Sequence, residues 1–275
     1  MKNVKVWAAA SAAVVLLAGL TACSPSNSGS GDSSKVTIGI KFDQPGLGLK
    51  VGEAYQGFDV EVANYVAKEL GYTEVEFKEA PSAQRETLIE SEQVKMVVAT
   101  YSITDARKQR ISFAGPYFIA GQDLLVRADN TDITGPASLN GKKLCSVTGS
   151  TSAQKVKDQF AGQVQLQELD TYSKCVEALS TGSIDAVTTD NVILAGFASQ
   201  SQYVGKLKVV GDSFSEERYG IGIKKGDTEL CTKINTALTK MVEDGSWEKA
   251  LASTVGASGF TADATVNPPK PDACS

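Results

Sequence analysis

Lys143-Leu144-Cys145-Ser146-Val147, followed by Thr148-Gly149-Ser150-Thr151-Ser152, is the stretch on which the fold turns. A short strand-like run ends at a glycine, and small hydroxyl residues then open a helix that reaches Phe160. A strand feeding a helix through a tight turn is the repeating unit of α/β folds, and it leaves the helix's free backbone amides at the strand's end. Towards the C-terminus the rhythm continues with a strand at 164–168, a helix around 172–180, a strand at 185–189, a helix at 191–198 and strands at 207–210 and 219–224. Residues 227–243 then carry Leu230, Ile234, Leu238 and Met241 along one helical face. Towards the N-terminus the same rhythm has already run once. It places a strand at 35–42 (KVTIGIKF), a helix at 59–70 with Asp59 as its cap and Gly71 as its stop, a strand at 74–78, a helix at 84–91, a strand at 95–100 and a helical turn at 104–109 before Ile111-Ser112-Phe113.

Two α/β runs, with a final strand and helices left over, predict two lobes. The expected division is 35–122 plus 219–275 for the first lobe and 123–218 for the second. The chain would cross near 122–127 and return near 213–219. A cleft between such lobes is where small ligands bind.

Composition narrows the chemistry. The 275 residues include 27 Lys+Arg, 32 Asp+Glu and no histidine. Every Ser-His-Asp or Cys-His catalytic arrangement is thereby excluded, as are histidine-containing zinc sites. A net charge of −5 makes nucleic acid a poor partner, because phosphate binding draws on a surplus of Lys and Arg. The 42% hydrophobic and 21% charged fractions suit a folded body.

The N-terminus reads as an address. Lys2 and Lys5 precede an apolar run from Val6 to Leu20, shorter than a spanning helix needs and flanked as a secretory signal is. It ends in Leu20-Thr21-Ala22-Cys23, which resembles a bacterial lipobox and implies removal of residues 1–22 and lipidation of Cys23. Residues 24–34 (SPSNSGSGDSS) then read as a flexible tether. The expected location is the extracytoplasmic face of the cell membrane, held by the lipid anchor. No other segment is apolar enough to span, so transport would need a separate membrane partner. Cys145, Cys175, Cys231 and Cys274 remain, an even number in an exported chain. Three pairings are possible. Cys145–Cys175 and Cys231–Cys274 are favoured because each lies within one proposed lobe, and no CxxC spacing supports a metal.

Three segments carry a family resemblance: Gln56-Gly57-Phe58-Asp59-Val60-Glu61-Val62, Ser102-Ile103-Thr104-Asp105-Ala106-Arg107 running into Ile111-Ser112-Phe113-Ala114-Gly115-Pro116-Tyr117, and Ile184-Asp185-Ala186-Val187-Thr188-Thr189-Asp190. Their order and spacing over 36–252 resemble the extracellular solute-binding proteins of polar amino-acid ABC importers (family 3). SAQRETLI (82–89) and AGQDLLV (120–126) resemble its glutamate-binding lipoproteins in particular. The resemblance implies an α/β, two-lobed, type II periplasmic-binding-protein-like fold without cofactor or catalytic residue. It also implies an amino-acid ligand, and a permease with its ATPase as partners.

The residue chemistry agrees. A zwitterion needs a cation for its carboxylate and an anion for its ammonium. Arg107 matches the family arginine for the α-carboxylate, where a planar guanidinium can bond both oxygens; its bland alternative is a surface arginine paired with an acid such as Asp105. Thr151, with Ser150 beside it, matches the second-lobe partner of the same carboxylate, and Ser150 can equally be a helix cap. Asp190 matches the ammonium ligand, aided by Thr100 and Ser102, against the alternative of a plain N-cap. The side-chain pocket is read at the end of the first strand, where relatives often carry an acid. Here it is Lys41, with Arg85 as a second candidate cation, and either could instead be a surface charge. Phe42, Phe58 and Tyr117 could supply apolar walls, with a core role equally open for Phe58. Glutamate is the leading ligand, with aspartate and glutamine behind it. A dehydratase on the same scaffold is the alternative, but it needs a carboxylate acid in an apolar cleft rather than a full amino-acid clamp.

Overall fold

Val36, Ile38 and Ile40 alternate along strand β1 (Lys35–Ile40) and are all buried, so the first predicted strand runs through the middle of a core. The structure, a computed structural model, describes residues 34–160 and 163–274. The proposed signal peptide (1–22), the lipidated Cys23 and all but the last residue of the tether lie outside the described residues.

After β1 come a small antiparallel meander of β2 (Asp43–Gln44), β3 (Gly48–Val51) and β4 (Ala54–Gln56), then α1 (Phe58–Glu69), β5 (Glu74–Glu79), α2 (Arg85–Glu90), β6 (Met96–Val98), α3 (Asp105–Lys108) and β7 (Ser112–Ala120). The second run is β8 (Gln122–Arg127), β9 (Lys143–Val147), α4 (Thr151–Phe160), β10 (Gln165–Leu169), α5 (Tyr172–Ser180), β11 (Ala186–Asp190), α6 (Asn191–Ala198) and β12 (Leu207–Val209). The chain closes with β13 (Glu217–Ile223), α7 (Thr228–Glu243) and α8 (Ser246–Thr254).

Two five-stranded sheets result, ordered β5-β1-β6-β13-β7 and β10-β9-β11-β8-β12. In each, three parallel strands joined by helices are extended by two antiparallel ones. The chain leaves the first sheet at Ala120, enters the second at Gln122, and returns at Glu217. The two crossings are tied together: Phe214 N donates to the Gln122 carbonyl at 2.9 Å, and Gln122 N to Ser215 Oγ at 3.1 Å. One disulfide joins Cys145 of β9 to Cys175 of α5, and the other joins Cys231 of α7 to Cys274 in the tail. On the chain-entropy account each such loop stabilises by roughly 3–4 kcal/mol.

The structure departs from the sequence reading at three places, each for a physical reason. First, β6 stops at Val98, because Thr100 has φ +44° and cannot continue a strand. Second, β7 runs nine residues through Pro116. A proline fits there because β7 is the sheet's edge. Third, α1 begins at Phe58, and Asp59 does not cap it. Its Oδ2 accepts from Thr100 N at 2.9 Å and its Oδ1 from the Tyr117 hydroxyl at 2.7 Å. The first free amides of α1 are met by backbone carbonyls instead, Phe58 N by Gly46 O and Asp59 N by Leu47 O. Phe58 and Tyr117 are core residues and not pocket walls. The Phe58 ring packs against those of Phe118 and Trp247 at 5.7 and 5.5 Å, and Trp247 Nε1 donates to the Tyr117 carbonyl at 2.8 Å.

Gly57 makes this entry to α1 possible. Its φ is +126°, and a Cβ there would lie 2.2 Å from the Leu47 carbonyl oxygen that receives Asp59 N. Gly71 also has positive φ (+88°) but nothing within 4 Å. Gly71→Ala should therefore cost about 1 kcal/mol of backbone strain, whereas Gly57→Ala should cost about 3 kcal/mol or more. Urea unfolding of the two variants measures the difference, and equal losses would remove the Leu47 approach as its cause.

Candidate functional site

The site starts from the strained end of β6. Thr100, held at positive φ by the Asp59 carboxylate, turns the chain so that the carbonyls of Ala99, Thr100 and Ser102 all receive guanidinium donors. Arg107 sits in α3, whose cap Thr104 accepts from Arg107 N. Its Nη1 donates to Ser102 O at 2.7 Å, its Nη2 to Gly149 O at 3.0 Å, and its Nε lies 3.4 Å from Glu86. Arg85, at the start of α2, donates through Nη1 to Ala99 O (3.0 Å) and Thr100 O (3.3 Å), and through Nη2 to Gly149 O (3.4 Å). Both guanidiniums lie against the Tyr101 ring, 4.1 Å from its centroid for Arg85 and 4.9 Å for Arg107. Lys41, one residue past β1, donates to Ser82 Oγ at 2.7 Å.

None of these three cations is a surface charge, since Lys41, Arg85 and Arg107 are 3%, 2% and 9% exposed. Burial pushes the Lys41 ammonium down to about 7, and the Arg85 charge adds to the effect. Burial, then Arg85, lowers the Arg107 guanidinium to about 10.

The second sheet supplies the opposite wall. Ser150 Oγ accepts from Ala153 N at 2.9 Å, so Ser150 caps α4. Thr151 Oγ1 stands 3.3 Å from Ser102 Oγ and donates to Glu217 Oε2 at 3.0 Å. Asp190 ends β11. Its Oδ2 accepts from the Tyr219 hydroxyl at 2.5 Å, its Oδ1 is buried without a partner, and its side chain caps nothing in α6. Burial, and then the charge of Glu217, hold the Asp190 carboxyl well above the usual carboxylate range.

Sequence reasoning missed Glu217, Lys155 and Tyr219. Glu217 opens β13 at the return crossing and accepts from Thr151 Oγ1, Ser215 Oγ and Lys155 Nζ. Burial pushes its carboxyl up, but hydrogen bonds from Lys155, Ser102 and Ser215 together with the Lys155 charge outweigh that and hold it down. A signal existed for Lys155, four residues beyond Thr151 and so on the same helical face. None existed for Glu217, which reads as an ordinary strand-end acid.

The structure thus brings together Thr100, Ser102, Arg107, Arg85 and Thr151 through direct or shared contacts, with Lys41 joined through Ser82 and Asp190 through Tyr219, which bridges to Ser102, while the Ser150 hydroxyl turns to the amide of Ala153. Phe42 is half-buried, and nothing here ties it to the cluster. A surface cavity of about 740 Å³ lies elsewhere, between Asn191, Val204 and Phe260. Among the described residues no group of cysteines and acids is placed to hold a metal ion. Three cations on one wall and a carboxylate with a spare oxygen on the other can hold a small zwitterion, with two positive groups left for a second anionic end.

The profile of the bacterial extracellular solute-binding proteins, family 3, matches residues 36–256. The glutamate-binding protein GluB of Corynebacterium efficiens is 49% identical over 267 residues, covering 90% of this chain and 90% of that protein. The ABC transporter glutamine-binding protein GlnH of Bacillus subtilis is 35% identical, covering 79% of this chain and 80% of that one. Among solved structures, an ancestral arginine-binding protein bound to glutamine superposes with a TM-score of 0.75 at 36% identity, over 81% of this chain and 98% of that one.

The raised Asp190 carboxyl has a consequence for stability. Its unfolded value is the ordinary 3.8, so protonation favours the folded chain fully below that pH, and the contribution is lost as pH climbs through the raised value. Asp190→Asn cannot titrate. The ligand-free variant should therefore lose less stability than wild type between about pH 4 and about pH 8. Urea unfolding at both pH values checks this, and parallel losses in the two proteins would contradict it.

Proposed function

The chain belongs to the bacterial extracellular solute-binding proteins, family 3, and from that premise we propose that it captures glutamate between its two α/β lobes and hands it to the permease of an ABC importer. Aspartate and glutamine are the competing ligands. One observation carries the reading: a buried guanidinium, Arg107, reaches across to Gly149 in the same closed cluster where Asp190 keeps one buried oxygen without a partner. Arg107 takes the α-carboxylate, with Thr151 and the amides that open α4. Asp190 takes the ammonium, with Thr100 and Ser102. Lys41 and Arg85 are then left for a side-chain carboxylate, whose burial without a cation would cost several kcal/mol. That is the physical reason for placing glutamate ahead of glutamine, and the 49% identity to a glutamate-binding protein supports the same choice.

The lobes are assigned as 35–122 plus 219–275 and 123–218; the sheet crossings at Gly121 and before Glu217 support two lobes and fall within about two residues of these limits. The chain is read as a binder without turnover. The cluster's groups match the ends of a ligand, and Glu217 is occupied by Lys155. Export by residues 1–22 and acylation of Cys23 would place it on the outer face of the membrane beside its permease and ATPase, the acyl chains supplying the anchor.

Arg107→Ala should weaken amino-acid binding by roughly 2–5 kcal/mol while the protein still melts cooperatively. Near-wild-type affinity by calorimetry would end the assignment. Lys41→Gln should weaken glutamate far more than glutamine, shifting their affinity ratio by at least about tenfold, or 1.4 kcal/mol. Competition calorimetry measures that ratio, and a ratio that does not move takes Lys41 out of the pocket and leaves Arg85 as its cation.

A further inference from the structure

A second set of contacts joins the two lobes beyond the clamp, at β2 and the turn after it. Asp43 Oδ2 accepts from Ser173 N at 3.1 Å and from Ser173 Oγ at 3.2 Å, and the Asp43 carbonyl receives Ser173 Oγ at 3.4 Å. Ser173 lies in the first turn of α5, where backbone amides have no partner within the helix. The helix's own cap, Thr171, serves Lys174 N at 3.4 Å. A carboxylate from one lobe thus caps a helix of the other, with the favourable sign for a helix N-terminus.

Two residues on, buried Pro45 meets α6. A Cβ built on Gly196 would lie 2.2 Å from the Pro45 carbonyl oxygen and 3.2 Å from its carbon. Gly196 lies inside the helix without a positive φ, so its own backbone has no need of a glycine. Alanine would be the better helix former at that position. The fold of the second lobe gives no reason for the residue, whereas the approach of the first lobe's backbone does.

We propose that Ser173 and Gly196 form a seat for the Asp43–Pro45 segment that holds the lobes closed over the ligand, which makes Gly196 a positioning residue for ligand retention. The seat rests on the binding-protein reading above. It acts by linkage: apparent affinity scales with the closed fraction of the liganded protein, so a residue that touches no ligand can set how long the ligand stays.

Gly196→Ala separates this role from a merely structural one because the two readouts move differently. In the ligand-free protein the melting temperature should stay level or rise, since the helix gains a better former. The glutamate affinity should fall at least tenfold, chiefly through faster dissociation in stopped flow. Ser173→Ala should show a smaller loss in the same direction. Wild-type affinity in Gly196→Ala overturns the proposal. A lowered ligand-free melting temperature also overturns it, because the contact would then belong to the resting fold. If wild-type protein ignores glutamate, the ligand assignment fails instead. The seat is then judged with the amino acid that a thermal-shift screen finds to bind the wild-type protein: Gly196→Ala must bind it at least tenfold more weakly, and equal affinity overturns the seat.

Discussion

Two guanidinium groups donate to one carbonyl oxygen, that of Gly149, and they reach it from the opposite sheet. Like charges gathered away from water repel, so burial and then the Arg85 charge lower the Arg107 guanidinium, and the arrangement needs compensation. The compensation is local. Arg85 is held by carbonyls of Ser82, Ala99 and Thr100, Arg107 by Ser102 and Glu86, and both lie against the Tyr101 ring. Oriented carbonyl dipoles offset part of the charge without neutralising it, so the pocket keeps a positive field. Lys41 deepens that field. An anionic ligand with two carboxylates would complete what the dipoles leave undone.

The negative wall is organised by division of labour between two buried acids that feel each other's charge. Glu217 is given Lys155, Ser215 and Thr151, and stays ionised in a fixed position. Asp190 is given one hydroxyl, from Tyr219, and keeps an oxygen in hand. Because Glu217 is satisfied within the protein, its charge acts on Asp190 without competing for a ligand. An arriving ammonium would be attracted by both acids and bonded by one. The same logic explains why Thr151 stands at the centre, since its hydroxyl meets Ser102 of the first lobe and Glu217 at the crossing.

Closure is where fold and site become one problem. The crossings at Gly121 and before Glu217 are bonded to each other, so the lobes have a defined pivot and not a loose linker. Glu217 itself stands at that pivot, and the β2 turn reaches over to α5 and α6. Ligand binding and lobe contact therefore draw on neighbouring residues, as a population shift between open and closed forms requires.

Much of this molecule was legible in its residues. The alternation of β-branched runs with helical periodicity gave the α/β class and two similar halves, because side-chain spacing is a local property of the chain. The motif around Arg107, the glycine turn before Thr151 and the acid closing β11 could be given expected roles by family resemblance, and their chemistry is compatible with the two ends of a zwitterion. What the chain could not disclose locally was which residues meet across the cleft. Asp59 looked like a helix cap and instead braces Thr100, and for Phe58, where wall and core were both open, contact with Trp247 decides for the core. Glu217 and Tyr219, distant in sequence from Thr151 and Asp190, carry no periodic or motif signature. Gly196 looks like a weak spot in a helix until the Pro45 carbonyl is placed beside it. Residue types and spacing determined the elements and carried the family resemblance from which the ligand is proposed. Only the tertiary structure decided the partners, because burial and contact between lobes are set by the folded chain as a whole and not by any stretch of it.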